Sequence, residues 1–378
     1  MSEQVAQNPI QALLAEWPLF VIPIALTLLG VLTMHPFGQG ASLAPKQLLW
    51  LGISLVGYFT VALVDMRFIR RTPVIISGYV ILLTLLAVLL VAVHAVMGAK
   101  SWFTFGGFSF QPADPGKIIF IALIAKYFSR RHMEIGDFRH ILVSGAYAAA
   151  PILLILLEPD LGTAAIFGAI WFGMILVSGI SKKHLAIVFA CGLIVATGLW
   201  FGGLHDYQRA RIMTFINPAA DIHGTGYNAY QATVAAGSGQ VLGKGIGYGT
   251  QSKLRFLPEY ETDFIFAAFA EEWGFVGVIL VLVLYGLLLS RLLTIAHRSS
   301  TNFDALFTIG VAILITAHVF IHAGINLGML PVTGTTIPFM SYGGSHLLME
   351  YIALGVVASL AREGRSVPRS RAGQEFFS

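Results

Sequence analysis

The chain has 378 residues, of which 56% are hydrophobic and only 11% charged, with a formal net charge of +4. A soluble domain carries about 25% charged residues, so this composition excludes a soluble protein and indicates an integral membrane protein. The positive charges are dispersed over short connections rather than gathered on one face, which excludes a nucleic-acid-binding protein.

Apolar runs long enough to cross a bilayer predict about ten transmembrane helices. Because backbone polar groups in lipid must be satisfied within their own segment, we expect an all-α polytopic membrane protein. The predicted spans are 17–34, 47–64, 74–97, 117–129, 140–157, 162–180, 184–203, 264–290, 303–328 and 344–361. The whole chain, 1–378, is predicted to form a single membrane domain, with a long extracytoplasmic loop at 203–263 and a cytoplasmic tail at 362–378.

The positions of Lys and Arg predict how these spans are oriented. Fifteen of the 23 lie in one set of alternate connections or in the C-terminal tail, and short connections rich in positive charge face the cytoplasm. Both termini are therefore predicted to be cytoplasmic, and the long loop is predicted to lie outside. The first 16 residues contain no Lys or Arg, so we expect the first apolar segment to be a retained span and not a cleaved signal.

Asp263 lies where the long polar loop meets the apolar run that begins at Phe264. One interpretation is that Thr262 or Asp263 caps the helix by accepting hydrogen bonds from its first N–H groups. A second is that the carboxyl group, beside Tyr260 and Phe264, has a raised pKa and acts as a base. Position alone favours the cap, and the two roles are compatible.

Four further acids lie at or beyond the same membrane boundary. Glu271 and Glu272 fall inside the predicted span, where carboxylates face the protein interior or a wet cavity. They either pair with interior Arg or His or take a direct role, and we do not expect both to reach one cavity. Glu158 and Asp160 join two spans with almost no loop. Asp160 is expected to cap the next helix, although the two acids could instead bind a cation or a sugar hydroxyl.

Polar residues also stand at the starts and along the faces of other spans. Lys117 is expected either to extend toward the membrane surface or to pair with Asp114 or a substrate phosphate. Trp102 fits an aromatic anchor at the membrane surface. His318, His322 and Asn326 recur every four residues and form one stripe, for which interhelical hydrogen bonding is favoured over a zinc site.

The long loop is rich in glycine between Gly237 and Gly249. It contains no nucleotide-binding fingerprint. Its flexible backbone, with Lys244, Lys253 and Arg255 nearby, could bind a pyrophosphate outside the membrane. Composition and spacing thus predict a polytopic protein with a charged outer cavity, and leave both an enzyme acting on a lipid substrate and a transporter open.

Several motifs, taken in order, resemble the signature of the SEDS family. They are Glu158-Pro159-Asp160-Leu161-Gly162-Thr163, Gly243-Lys244-Gly245, Gly249-Thr250-Gln251-Ser252, Phe256-Leu257-Pro258-Glu259, Thr262-Asp263-Phe264-Ile265-Phe266-Ala267, Pro331-Val332-Thr333-Gly334 and Ser341-Tyr342-Gly343-Gly344-Ser345. The resemblance covers the whole chain and is closer to RodA-like than to FtsW-like members. It departs from the family pattern at the Asp114-Pro115 step, His322, Thr336 and His346.

The resemblance implies a peptidoglycan glycosyltransferase of the bacterial cytoplasmic (inner) membrane. Such an enzyme polymerises lipid II into β-1,4 glycan strands on the outer face and releases undecaprenyl pyrophosphate, for cell elongation and rod shape. It also implies a class B penicillin-binding protein and other elongation-complex proteins as partners. The alternatives are a lipid II flippase and a non-catalytic scaffold for the penicillin-binding protein.

The resemblance also assigns roles to residues. The family's essential aspartate, tryptophan and lysine match Asp263, Trp102 and Lys117. Asp263 is therefore predicted to be catalytic, with no certain cofactor and with Mg²⁺ or Mn²⁺ as a candidate divalent cation. The predicted substrate-binding residues are Trp102, Asp114, Lys117, Glu158, Asp160, Arg209, Arg211, Lys244, Glu259 and Ser341.

Overall fold

The computed structural model is a bundle of long helices, and it describes residues 15–35, 43–92, 101–105, 108–130, 138–217, 226–254 and 256–366. The long helices are α1 (Pro18–Met34), α2 (Ala44–Leu63), α3 (Thr72–Ala92), α4 (Ala113–Ser129), α5 (Phe138–Leu157), α6 (Leu161–Ser178) and α7 (Lys182–Gly198), which continues as a π-helical turn over Leu199–Gly203. Three short helices follow, α8 (Asp206–Ile216), α9 (Tyr227–Ser238) and α10 (Thr250–Lys253). The chain ends with α11 (Ile265–His297), α12 (Asn302–Asn326) and α13 (Gly344–Ser366).

Two smaller elements connect the first helices. A 3-10 helix, Met66–Arg70, lies between α2 and α3. An antiparallel hairpin of β1 (Phe103–Phe105) and β2 (Phe108–Phe110) precedes α4, with Phe103 opposite Phe110.

Eight of the described helices are long and apolar enough to cross a membrane, namely α2, α3, α5, α6, α7 with its π turn, α11, α12 and α13. The other two predicted spans correspond to α1 and α4, each of 17 residues. The prediction of an all-α polytopic membrane protein is confirmed. Apolar length was a sound guide because a segment in lipid must satisfy the hydrogen-bonding groups of its own backbone, which requires a helix.

Helix α4 begins at Ala113, four residues before the predicted start of the fourth span. Pro115 fits there because the first turn of a helix needs no intrahelical N–H donor. Asp114, also in the first turn, places negative charge at the positive end of the helix dipole. The polar stretch that looked like a loop is therefore the first turn of the helix.

Two other boundaries differ from the prediction. The segment predicted as a loop at 203–263 contains the helices α8, α9 and α10. The predicted tail at 362–378 begins inside α13, which continues to Ser366, and the rest of the tail lies outside the described residues. We call the end of the bundle that carries α8–α10 the loop end.

Helix α12 lies at the centre of the bundle, packed against α4, α6 and α11, while α13 packs along α2. Aromatic side chains fill the interior, and those of Phe120, Phe167 and Phe307 are fully buried. Helix α7 buries none of its residues against the rest of the protein. The core that supports the loop end is therefore built around α12.

Helix α11 is broken at Gly274, whose φ of 64° and ψ of −166° are not helical. The adjacent loop completes the hydrogen bonds that the break leaves open. Phe275 N–H donates to the carbonyl oxygen of Gln240 (2.9 Å), and Lys244 N–H donates to that of Glu271 (3.0 Å). A side chain at position 274 would collide with the backbone of the loop, so glycine is required for both its conformation and its size.

Candidate active site

A cavity of about 330 Å³ opens at the loop end of the bundle, within the size range of small-molecule sites. Four predicted site residues, Trp102, Asp160, Arg211 and Asp263, line it together. The residues come from the hairpin segment, the α5–α6 turn, helix α8 and the start of α11. The structure thus brings distant parts of the sequence to one site, which we call the Asp263 cavity.

A tight turn directs Asp263 toward this cavity. Glu259 has a left-handed φ of 52°, and its carbonyl oxygen accepts hydrogen bonds from the N–H groups of Thr262 and Phe264, both at 3.2 Å. Helix α11 then begins at Ile265, with Phe264 at the N-cap and no side-chain cap bond from that residue. The prediction that Thr262 or Asp263 caps the helix is wrong, because the turn ends before the helix and leaves the Asp263 side chain in the cavity.

Asn326 of α12 performs the capping role instead. Its Oδ1 accepts a hydrogen bond from Ala267 N–H (3.0 Å), and its Nδ2 donates to the carbonyl oxygens of Asp263 (3.0 Å) and His322 (2.8 Å). Ser341 supports the same turn from another side, since its hydroxyl donates to the carbonyl oxygen of Thr262 (2.7 Å). The predicted interhelical hydrogen bonding of the polar stripe on α12 is confirmed.

Replacing Asn326 with Ala is expected to lower the free energy of unfolding by about 1–3 kcal/mol, because it leaves a buried N–H and two carbonyls without this partner. Thermal unfolding in detergent measures the loss. The matched control is Asn302→Ala at the exposed opposite end of α12. Equal stability of the two variants would contradict the capping role.

The electrostatic surroundings of Asp263 favour its protonated form. Burial and the negative charges of Glu259 and Asp160 raise the pKa of its carboxyl group to about 7, although the Arg211 guanidinium acts in the opposite direction. A carboxyl group with this pKa can accept a proton near neutral pH. The pKa of the neighbouring Glu158 is also raised, to about 8, by burial and by the charge of Asp160.

Asp160 and Arg211 are both fixed by contacts around the cavity. Asp160 caps α6, because its Oδ1 accepts a hydrogen bond from Thr163 N–H (2.9 Å), which confirms the predicted cap. The guanidinium of Arg211 lies 5.7 Å from the ring centre of Tyr207 and donates to the carbonyl oxygen of Val332 (3.4 Å). The cavity therefore contains two carboxylates and one positioned cation.

Lys117 and Asp114 lie deeper in the bundle and do not line the Asp263 cavity. Lys117 Nζ contacts Asp114 Oδ1 at 3.0 Å and His318 Nε2 at 3.4 Å. Asp114 also binds the Ser345 hydroxyl (3.1 Å) and His346 Nδ1 (3.2 Å). Of the alternatives for Lys117, the structure shows the pairing with Asp114, while a direct contact of either residue with substrate stays a prediction.

Glu271 and Glu272 bind the glycine-rich loop. Glu271 Oε1 accepts hydrogen bonds from Lys244 Nζ (2.7 Å) and from Thr250 N–H (2.9 Å). Glu272 Oε1 accepts one from Gly247 N–H (2.7 Å). Of the two alternatives for these acids, the structure supports a structural role, with partners in the loop and not the interior Arg or His that the first alternative named. A role of Lys244 in binding substrate stays a prediction.

The remaining predicted site residues lie around the Asp263 cavity without lining it. Glu259 forms the turn before Asp263 and accepts a hydrogen bond from the Thr262 hydroxyl (3.0 Å). Arg209 lies 3.9 Å from Asp206 on the surface of α8, and Glu158 is buried beside the α5–α6 turn. Their contact with substrate stays a prediction.

Three polar residues that line the cavity were missed by sequence reasoning: Ser101, Tyr207 and Gln208. A fourth, Thr333, lies in a quoted family motif but was not predicted to be a site residue. Tyr207 and Gln208 stand beside the two basic residues of α8, which is the one signal that could have drawn attention to them. No group of three or more His, Cys, Asp and Glu side chains suited to a metal ion lies among the described residues. The divalent cation stays a prediction, with Asp160 and Asp263 as the carboxylates available in the cavity.

The fold and the cavity together define a polytopic membrane protein with a buried ionisable site at one end of its bundle. Over residues 9–366 the chain matches the family of FtsW, RodA and SpoVE. The description of this family is "cell cycle protein". It therefore belongs to this family.

Curated relatives carry names that state an activity or a cellular process. The peptidoglycan glycosyltransferase MrdB of Escherichia coli K12 is 35% identical over 321 residues, covering 83% of this chain and 86% of that protein. The stage V sporulation protein E of Bacillus subtilis is 34% identical, covering 88% and 90%. The predicted family and the predicted enzyme class, peptidoglycan glycosyltransferase, are confirmed by these matches.

Solved structures share the fold. A chain of a peptidoglycan synthase complex, described as coordinating polymerization and crosslinking, is 31% identical with a TM-score of 0.78, covering 93% of this chain and 98% of that one. The rod shape determining protein RodA of Thermus thermophilus is 28% identical with a TM-score of 0.69, covering 97% and 100%. The RodA-like assignment agrees with these neighbours.

Proposed function

We propose that this protein polymerises lipid II into glycan strands and that Asp263 is its general base. The observation that carries the proposal is the placement of Asp263, with its raised pKa, in one cavity with Arg211 and Trp102. The base removes the proton from the 4-hydroxyl of the acceptor sugar. That oxygen forms a bond to the anomeric carbon of the donor, and the bond between this carbon and the pyrophosphate oxygen breaks.

The electron pair of the broken bond leaves with undecaprenyl pyrophosphate, and inversion at the anomeric carbon gives the β-1,4 linkage. Pyrophosphate is a good leaving group, so stabilisation of its negative charge matters more than its protonation. Arg211 supplies a positive charge in the cavity and can form paired hydrogen bonds with phosphate oxygens. Any divalent cation would act at the same leaving group and stays a prediction.

Formation of glycan in detergent micelles tests this function against the flippase alternative. Micelles have no second compartment, so translocation alone produces no polymer. We expect the purified wild-type protein to convert labelled lipid II into strands that are resolved by gel electrophoresis. Lipid II that remains monomeric, with the protein folded and its class B penicillin-binding partner added, would favour the flippase or the scaffold.

The polymerisation rate is expected to rise about tenfold between pH 6 and pH 8 and then level off, because a base with a pKa near 7 is largely protonated at pH 6 and largely ionised at pH 8. Initial rates at saturating lipid II measure this profile. A rate that falls over the same interval would contradict the role of Asp263 as base.

We also propose that the loop end faces the cell exterior and that a class B penicillin-binding protein of the elongation complex is the partner. The charge distribution supports the orientation, since Lys and Arg are concentrated in the connections opposite the loop end. The structural match to a peptidoglycan synthase complex supports the partner. Labelling of a cysteine introduced at exposed Asp206 by an impermeant reagent in intact cells tests the orientation.

A further inference from the structure

A second cavity, of about 170 Å³, adjoins the Asp263 cavity. Helices α8 and α9 and the segment that follows α12 form it, and we call it the side cavity. Its lining includes Phe215, Ala229, Thr233 and Leu330. Both cavities are also lined by Arg211, Pro331 and Val332. Arg211 therefore lies in a wall that the two cavities share.

The two cavities differ in their chemistry. The Asp263 cavity contains two carboxylates and a cation, whereas Arg211 is the one charged residue among those that line the side cavity. Three residues with hydroxyl groups line each cavity, and most other residues of the side cavity are apolar. The hydroxyl of Thr233 donates to the carbonyl oxygen of Tyr230 within its own helix (2.8 Å). That hydroxyl therefore already has an acceptor. The side cavity is suited to hydrocarbon, and its one cation lies at the boundary with the polar site.

This arrangement matches an amphiphile in which an anionic group lies between a sugar and a hydrocarbon chain. An arginine in the shared wall can bind phosphate oxygens from either side. We infer that the side cavity binds the first isoprenoid units of the lipid-linked donor, with the pyrophosphate on Arg211 and the sugar in the Asp263 cavity. This inference rests on the function proposed above.

The volume limits how much of the lipid the side cavity can hold. Sites that enclose a small molecule have volumes of about 300–1,000 Å³, and the side cavity is smaller. Only the carbons next to the pyrophosphate fit there, so the rest of the chain lies in the membrane. Because hydrocarbon gains little by moving from lipid to apolar protein, the side cavity orients the donor and adds little to its affinity. Orientation of the breaking bond affects the rate directly.

Photo-crosslinking tests the inference. The probe is a polyprenyl pyrophosphate that carries a diazirine in its first two isoprene units, and a second probe carries the diazirine at the far end of the chain. We expect the first probe to label residues of α8, α9 or 327–332, and the second to label membrane-facing surfaces. The variant Thr233→Phe fills the side cavity and is expected to lose this labelling and to polymerise about tenfold more slowly.

Gln231→Phe adds similar bulk to α9 at a residue that does not line the side cavity, and is expected to keep both labelling and polymerisation. Thermal unfolding of both variants separates a filled cavity from a misfolded protein. The inference fails if wild-type protein polymerises lipid II while the first probe labels other segments only. The proposed function fails separately, if labelling occurs as expected and no glycan forms.

Discussion

The variant Asp263→Asn is expected to lose about 10²–10⁴-fold in the rate of lipid II polymerisation, which is the usual contribution of a positioned general base. Asparagine preserves the size of the side chain and cannot accept the proton. The turn that holds residue 263 depends on backbone groups bound by Glu259 and Asn326, so the geometry should survive. Initial rates with purified protein at pH 8 measure the effect.

Measuring the stability of the variant distinguishes a loss of catalysis from a loss of folded protein. Because burial raises the pKa of Asp263 in the folded protein, ionisation of this group destabilises the fold as pH rises from the usual aspartate pKa toward about 7. Asp263→Asn removes that cost and is expected to be at least as stable as the wild type at pH 8. The matched control is Asp206→Asn, a fully exposed acid of the same loop. Activity of Asp263→Asn equal to that of the control would rule out the base.

The second large effect is expected for Lys117→Met, which should lower the free energy of unfolding by about 3–5 kcal/mol. Lys117 and Asp114 are both buried, and their contact at 3.0 Å neutralises two charges inside the bundle. Without the lysine, Asp114 retains only the hydroxyl of Ser345 and the ring of His346 as described partners. Thermal unfolding in detergent measures the loss.

The double variant Asp114→Asn with Lys117→Met provides the control, because it removes both charges together. It is expected to be more stable than Lys117→Met alone, since the carboxylate that loses its lysine partner is neutralised as well. A double variant less stable than Lys117→Met would mean that the ion pair contributes little to stability and that the main role of Lys117 is not structural. Polymerisation assays on the double variant then report whether the pair of Asp114 and Lys117 also contacts substrate.

The spans could be predicted from the sequence because apolar length is a property of each segment alone. The helices of the long loop could not, because α8 and α9 are too polar and short to stand out from the coil around them. Packing on α11 and α12 stabilises α9. Helix α8 is held by hydrogen bonds from Tyr207 and Gln208 to the carbonyl oxygen of Pro159. Local composition does not encode such contacts.

The candidate site was likewise predictable only in part. The motif directed attention to Asp263, which the structure places in the cavity, while its catalytic role stays a prediction. Asp160 could be predicted as a cap from its place before a helix. The cap of α11 could not be predicted, because Asn326 supplies it from 59 residues beyond Ala267. The partners of Glu271 were missed for a related reason, since Lys244 lies 27 residues away across a loop that shows no regular pattern.

The break in α11 at Gly274 has a consequence for the order in which the protein is made. The helix reaches its final form only when the backbone of residues 240–245 supplies the missing hydrogen-bond partners. Those residues precede α11 in the chain and leave the ribosome first. With the loop end facing the cell exterior, as proposed above, we expect the loop to cross the membrane before α11 settles in the bilayer. A delay in this translocation would leave open peptide groups in lipid, where each costs several kcal/mol, so we expect translocation of the loop and insertion of α11 to be coupled.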